Sequence, residues 1–123
     1  MGYDFESSGS SVWSPSQNVA RLFLASVRQL EKQMEKSSGL IEPMSDTIEI
    51  DSAVLAEFLR AVFAKTNWSH ESLSILLHGP LVHMLALLLA TNPAALKNIS
   101  QIPKDWIQEA HLLIARYFHH GPD

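Results

Sequence analysis

From Val19 onward, apolar residues recur every three or four positions, the period of an α-helix with one buried face. Val19, Leu22, Phe23, Ser26, Val27, Leu30 and Met34 form the first such stripe. Ser14 predicts its N-cap, with Pro15 at the first helical position and Gln17 reaching back. Ser37-Ser38-Gly39 predicts its end, the glycine supplying a left-handed cap. After Pro43, "TIEID" at 47–51 alternates for a few residues, but without a second strand to pair with it reads as an extended linker. A second helix is capped by Asp51 or Ser52, turns Val54, Leu55, Phe58, Val62 and Phe63 inward, and stops at "TNW", 66–68. Ser69, followed by Glu71 and Ser72, opens a third.

The stretch from Leu73 to Ala90 is the most one-sided in the chain. It includes Ser74, His78, Gly79, Pro80 and His83, and its strictly apolar part runs only from Met84 to Ala90. A spanning helix needs about twenty mostly apolar residues, so the expectation is a buried central helix and no membrane span. Gly79-Pro80 matches a helix stop followed by a helix start, which predicts a break there. "NPAALKNIS" at 92–100 reads as one capped turn or a short helix. Pro103 then starts a final helix with Trp106, Ala110, Leu113, Ile114, Tyr117 and Phe118 on one stripe.

Residues 1–13 are rich in serine and glycine and offer little to bury, so they read as a mobile tail in which Tyr3, Phe5, Val12 and Trp13 are incidental. The expected fold is all-α: an orthogonal bundle of four to five helices, with a buried, Gly-Pro-interrupted central helix and a flexible N-terminal tail. Residues 14–120 make up its single helical domain.

Composition narrows the roles. A chain of 123 residues, 46% hydrophobic and 18% charged, suits one core. Nine basic against thirteen acidic side chains give a net charge of -4 with no block of either sign, which makes a nucleic-acid partner unexpected. The lack of cysteine removes disulfides, thiolate metal ligands and cysteine nucleophiles, and fits a reducing compartment. No basic region followed by an apolar run marks a secretory signal, so the expected location is cytoplasmic. The sequons at Asn67 and Asn98 then meet no glycosylating machinery.

"LRAVFAKTNWSHESLSILLHG", 59–79, resembles the first two helices of the repressor-type helix-turn-helix: Ser69 caps a helix, Glu71 follows two on, and Leu73 and Leu77 take the family's apolar positions. The resemblance implies that a polar, base-contacting helix comes next. The chain departs from the family there, because "PLVHMLALLLA" carries His83 and no Arg, Lys, Asn or Gln to read a base edge or hold a phosphate.

Histidine chemistry finds no complete motif either. "HESLS" at 70–74 opens like the zinc-protease signature but has Ser74 where the second ligand belongs. His78 and His83 lie about 140° apart on a continuous helix. Asp105 and Glu109 fall too early, on a rotated face, to complete a ligand set with His111 and His119. His119 and His120 read as a solvated helix end. With no phosphate loop and no nucleophile elbow, no catalytic, cofactor-binding or metal-ligating residues are expected.

Surplus apolar surface is the positive signal. Ala20, Leu24 and Val27 widen the stripe of the first helix, and Leu55, Leu59 and Val62 that of the second, beyond what one central helix requires. The expected function is therefore a non-enzymatic protein-protein interaction module, such as an adaptor, chaperone-like protein or regulatory subunit. It would pair with another protein or with itself as a homodimer, through candidate interface residues Leu24, Val27, Leu55, Leu59 and His83. The alternatives are a transcription-regulator module of helix-turn-helix ancestry and a small helical metal-binding protein or enzyme.

Overall fold

A computed structural model describes residues 2–44, 46–65 and 71–119. The residues read as a tail are strands β1 (Asp4–Ser7) and β2 (Ser10–Trp13). There follow α1 (Gln17–Met34), β3 (Leu40–Met44), β4 (Thr47–Ile50), α2 (Ser52–Lys65), α3 (Glu71–Thr91), a 3-10 turn at Pro93–Asn98 and α4 (Lys104–Tyr117). The strands form one mixed sheet in the order β2-β1-β4-β3, with β1 parallel to β4 and the two outer pairs antiparallel. The fold is therefore α/β, and both the all-α bundle and its flexible tail are overturned. "TIEI" is a strand after all, because β1 and β3 flank it.

Local chemistry explains the first hairpin. Ser8 and Gly9 both take positive φ, 52° and 82°, and join Ser7 to its partner Ser10, which is the backbone a two-residue primed turn requires. Opposite Phe5 and Glu6 the register jumps from Trp13 to Ser11. Val12 is thus the extra residue of a β-bulge, and Val12 and Trp13 are buried together, which strict alternation would forbid. Phe5, Leu40, Ile48 and Ile50 complete the sheet's apolar inner face, while Ser11, Ile41 and Glu49 are exposed.

Helix α1 starts two residues later than its sequence suggests. Ser16 is the N-cap, its hydroxyl accepting from the Val19 amide at 3.4 Å. The helix turns Ala20, Phe23, Leu24, Val27 and Leu30 inward and leaves Val19 and Leu22 exposed. Its left-handed cap is Glu35, with φ 54°, and not Gly39.

The corner that follows is organised by Glu31. Its carboxylate accepts from the Ser38 amide (2.8 Å) and hydroxyl (2.6 Å) and pairs with Arg28 at 3.1 Å. Ser38 is fully buried. Burial pushes the Glu31 carboxyl up, but the Ser38 hydrogen bonds and then Arg28 outweigh it and hold it below its ordinary value. A carboxyl lowered in the folded state stabilises the fold above its unfolded pKa, near 4.3 for Glu, and that contribution is lost as pH falls through the lower folded value. Glu31→Gln is expected to reduce stability at neutral pH by about 1–3 kcal/mol and to flatten its decline in acid. Thermal melts between about pH 3 and pH 7 measure both effects, and an acid decline as steep as the parent's would show that Glu31 does not cause it.

Helix α2 is capped by Asp51, whose carboxylate accepts from the Val54 amide at 3.2 Å. It buries Leu55, Phe58, Leu59, Val62 and Phe63. Helix α3 runs unbroken through Gly79 and Pro80, so the expected break is also overturned. Proline removes one ladder donor, that for the Leu76 carbonyl, and it does so where the helix still faces outward, with Leu76 exposed. Beyond it, Leu81, Val82, Met84, Leu85, Ala86, Leu87 and Leu88 are all buried, and their packing on both sides favours one continuous element. The expected "TNW" stop, the Ser69 cap, and His70 and His120 lie outside the described residues. Among those described, no helix is long and apolar enough to cross a membrane.

Candidate functional site

Four elements bring aromatic rings together around His83. Trp13 comes from β2, Phe23 from α1, His83 from α3, and Phe118 follows α4. Trp13 stacks on Phe118 (centroids 5.5 Å apart, planes 17° apart) and meets Phe23 edge-on at 5.5 Å. The His83 ring lies 5.4 Å from Trp13 and 5.9 Å from Phe23. A cavity of about 400 Å³ opens over this cluster, walled by Trp13, Pro15, Val19, Leu113, Tyr117 and Phe118 and with Ser14 and Ser16 at its polar side. Among the described residues, no Asp, Glu, Lys or Arg side chain lines it.

His83 and Val19 also border a second hollow of about 240 Å³, floored by Phe23 and Pro80. Pro80 and Ser26 lead on to a third of about 440 Å³, between Leu30 and Gln33 of α1 and Leu76 and Leu77 of α3. Shared lining residues, Val19 and His83 and then Ser26 and Pro80, place the three hollows in a row beside α1, with Leu22 bordering the second and Leu76 the third. Leu22 and Leu76 are each 73% exposed.

A polar clasp closes the other side of the Trp13 cluster. The Asp4 carboxylate accepts from the hydroxyls of Ser11 (2.5 Å) and Ser14 (3.0 Å), and the Ser14 oxygen lies 2.9 Å from His119 Nε2. The His119 amide donates to the Val12 carbonyl at 2.8 Å, and Phe118 bridges Trp13. Burial raises the Asp4 carboxyl, but hydrogen bonds from Ser11, Glu6 and Ser14 and the nearby His119 hold it below its usual value. The Glu6 carboxyl, hydrogen-bonded to Asp4, is raised. A hydrolytic serine needs an imidazole to take its proton and a carboxylate to orient that imidazole. Here the serine sits between acid and imidazole and gives its proton to the acid, so the chain of groups ties β1, β2 and the segment after α4 together. Asp4 and Ser11 lie in residues read as a tail, whereas Ser14 was read as a helix cap and His119 as a solvated helix end; only the Ser8-Gly9 turn, which folds Ser11 back onto Asp4, signals the clasp.

The sequence-derived candidates divide. Leu24, Val27, Leu55 and Leu59 are core residues, buried within the chain. His83 is half-buried and lines both the main cavity and its neighbour. His78 meets Glu109 of α4 through Nε2, with the Trp106 ring 5.0 Å away, and joins α3 to α4. Among the described residues no three His, Cys, Asp or Glu side chains converge to hold a metal ion.

Curated proteins and solved structures give no significant match to this chain. Residues 1–113 match DUF6086, a family of unknown function, so that the sheet, all of the helices but the last turn of α4, and the wall around His83 except Tyr117 and Phe118 fall within the match, and the chain belongs to that family.

Proposed function

We propose that this protein is a non-enzymatic interaction module, an adaptor or regulatory subunit, that receives an amphipathic helix of a partner protein in the groove between α1 and α3. The observation that carries this reading is the exposure of Leu22 and Leu76 on either side of a continuous line of apolar hollows. Single exposed leucines are ordinary; two that flank a groove mark a docking face. From Val19 to Gln33 the groove follows α1 for about 20 Å at 1.5 Å per residue, room for about four turns of a docked helix. The flanking Ser26, Gln29 and Gln33 give it the polar rim of such interfaces. The lack of cysteine suits the cytoplasm, where we place this activity.

Selection from a displayed library of helical peptides tests the reading. Wild-type protein is expected to enrich sequences with apolar residues at i, i+3 or i+4, and i+7. The double variant Leu22→Glu, Leu76→Glu is expected to bind those peptides at least about tenfold more weakly, because each carboxylate meets an apolar surface. No enrichment, or equal affinity for the variant, would sink the proposal. Light scattering at rising concentration distinguishes the other occupant: a dimer that the same two substitutions dissolve would assign the groove to a second copy of this chain.

A further inference from the structure

We propose that the cavity beside His83 is a binding site for a small, neutral aromatic molecule that carries one hydrogen-bond donor, of the phenol or indole class. This goes beyond partner docking in the α1–α3 groove, which the cavity adjoins at Val19 and His83, and its test uses small molecules alone, so that its failure and that of the docking reading are distinguishable.

The tautomer of His83 sets the polarity of the site. Its Nδ1 lies 2.8 Å from the Gly79 carbonyl, and a carbonyl can only accept, so the hydrogen is on Nδ1. In the neutral ring Nε2 then carries a lone pair and accepts. Among the described residues nothing donates to Nε2, and it is not a buried orphan, since no buried side-chain nitrogen or oxygen lacks a partner. It is therefore open, and the spaces that His83 borders are the main cavity and its smaller neighbour. An open acceptor on a residue that borders a space walled by rings favours a ligand that brings a donor.

The walls set the rest. Trp13, Tyr117, Phe118 and Leu113 line it with apolar, mostly aromatic side chains, which favour an aromatic ring. Among the described residues no Asp, Glu, Lys or Arg side chain lines the cavity; an ionic ligand would lose its hydration there without compensation, so the ligand is neutral. A volume of about 400 Å³ lies at the small end of ligand sites and holds one or two fused rings, not an extended cofactor.

The experiment titrates the full chain with phenol, indole and, as a ring without a donor, toluene, following amide shifts at Ser14, Ser16 and His83 by NMR. Phenol and indole are expected to saturate these shifts at or below millimolar concentration, with toluene at least about tenfold weaker. His83→Phe is expected to abolish that preference while the ring remains to pack on Trp13. Val19→Trp, at a position 46% exposed and so tolerant of a larger side chain, is expected to fill the mouth and weaken every ligand at least about tenfold. No saturation by about 10 mM, an unchanged preference in His83→Phe, or undiminished binding to Val19→Trp would each overturn the site.

Discussion

Phe5→Ala is expected to destabilise the protein by about 3–5 kcal/mol, the loss typical of deleting a buried aromatic ring. Against a total stability of about 5–15 kcal/mol for a domain, this is the largest loss expected from one side chain outside the helices. Phe5 is fully buried at the centre of the sheet, paired with Ile48 across the parallel ladder and with Trp13 across the antiparallel one. Its ring lies 5.0 Å from that of Trp13 and 5.8 Å from that of Phe23. Truncation would leave a void bordered by two strands and α1, which none of the three can close alone. Urea unfolding followed by circular dichroism measures it; a loss below about 1 kcal/mol would mean that β1 and β2 contribute little to the core.

Gly39→Ala should be nearly as costly, about 2–4 kcal/mol, for a backbone reason. Gly39 has φ 84°, and a Cβ there would lie 2.6 Å from the Asp51 oxygen and 2.8 Å from the Leu55 nitrogen. Both are main-chain atoms of the first turn of α2, so no side chain can swing aside. The turn must shift, which strains the cap at Asp51 and the bond from its amide to the Gly39 carbonyl, 2.8 Å long. Gly9 is the control: it has φ 82° with open space around it, so Gly9→Ala should cost only about 1 kcal/mol, the left-handed backbone penalty alone. Equal melting temperatures for the two variants would refute the steric argument.

Helices α1, α2 and α4 were legible in the sequence because each shows its period over three or more turns, and α2 and α4 begin within a residue of their signals; α3, apolar on all sides, was read as broken at Gly79-Pro80. The sheet was not, for reasons that can be named. Four residues of β1 hold a single fully buried side chain, Phe5, and the bulge at Val12 disguises the alternation of β2. Strand β3 contains Pro43, which argues against a strand unless it lies at an edge, and an edge is where the sheet order places it. "TIEI" did alternate, but its partners were hidden in segments that look like a tail and a turn.

The same omission explains the apolar surplus. Leu24, Val27, Leu55 and Leu59 exceed what one central helix needs, and the structure puts them in a core that also contains the inner face of the sheet. Leu22 and Leu76 do face outward, although Leu22 belongs to a stripe that reads as core and Leu76 to the segment read as a buried central helix. On α1 the true inward face is rotated from the predicted one toward Ala20 and Leu24, a shift that periodicity alone cannot resolve when both faces carry leucine. His83 was visible as a lone polar residue among leucines. Its neighbours Trp13 and Phe118 come from opposite ends of the described chain, and no spacing rule connects them.

That separation also governs how the protein is made. Strand β2 leaves the ribosome well before Phe118 and His119, which cover its outer edge; Ser14 and His119 are 105 positions apart. At a synthesis rate of about 5–20 residues per second, Val12 and Trp13 wait roughly 5–20 s for that cover. During that interval an unpaired strand edge beside an apolar ring is open to other nascent chains. The clasp thus closes well after β2 is made, and the nascent chain depends on Phe118 and His119 for protection against misassembly.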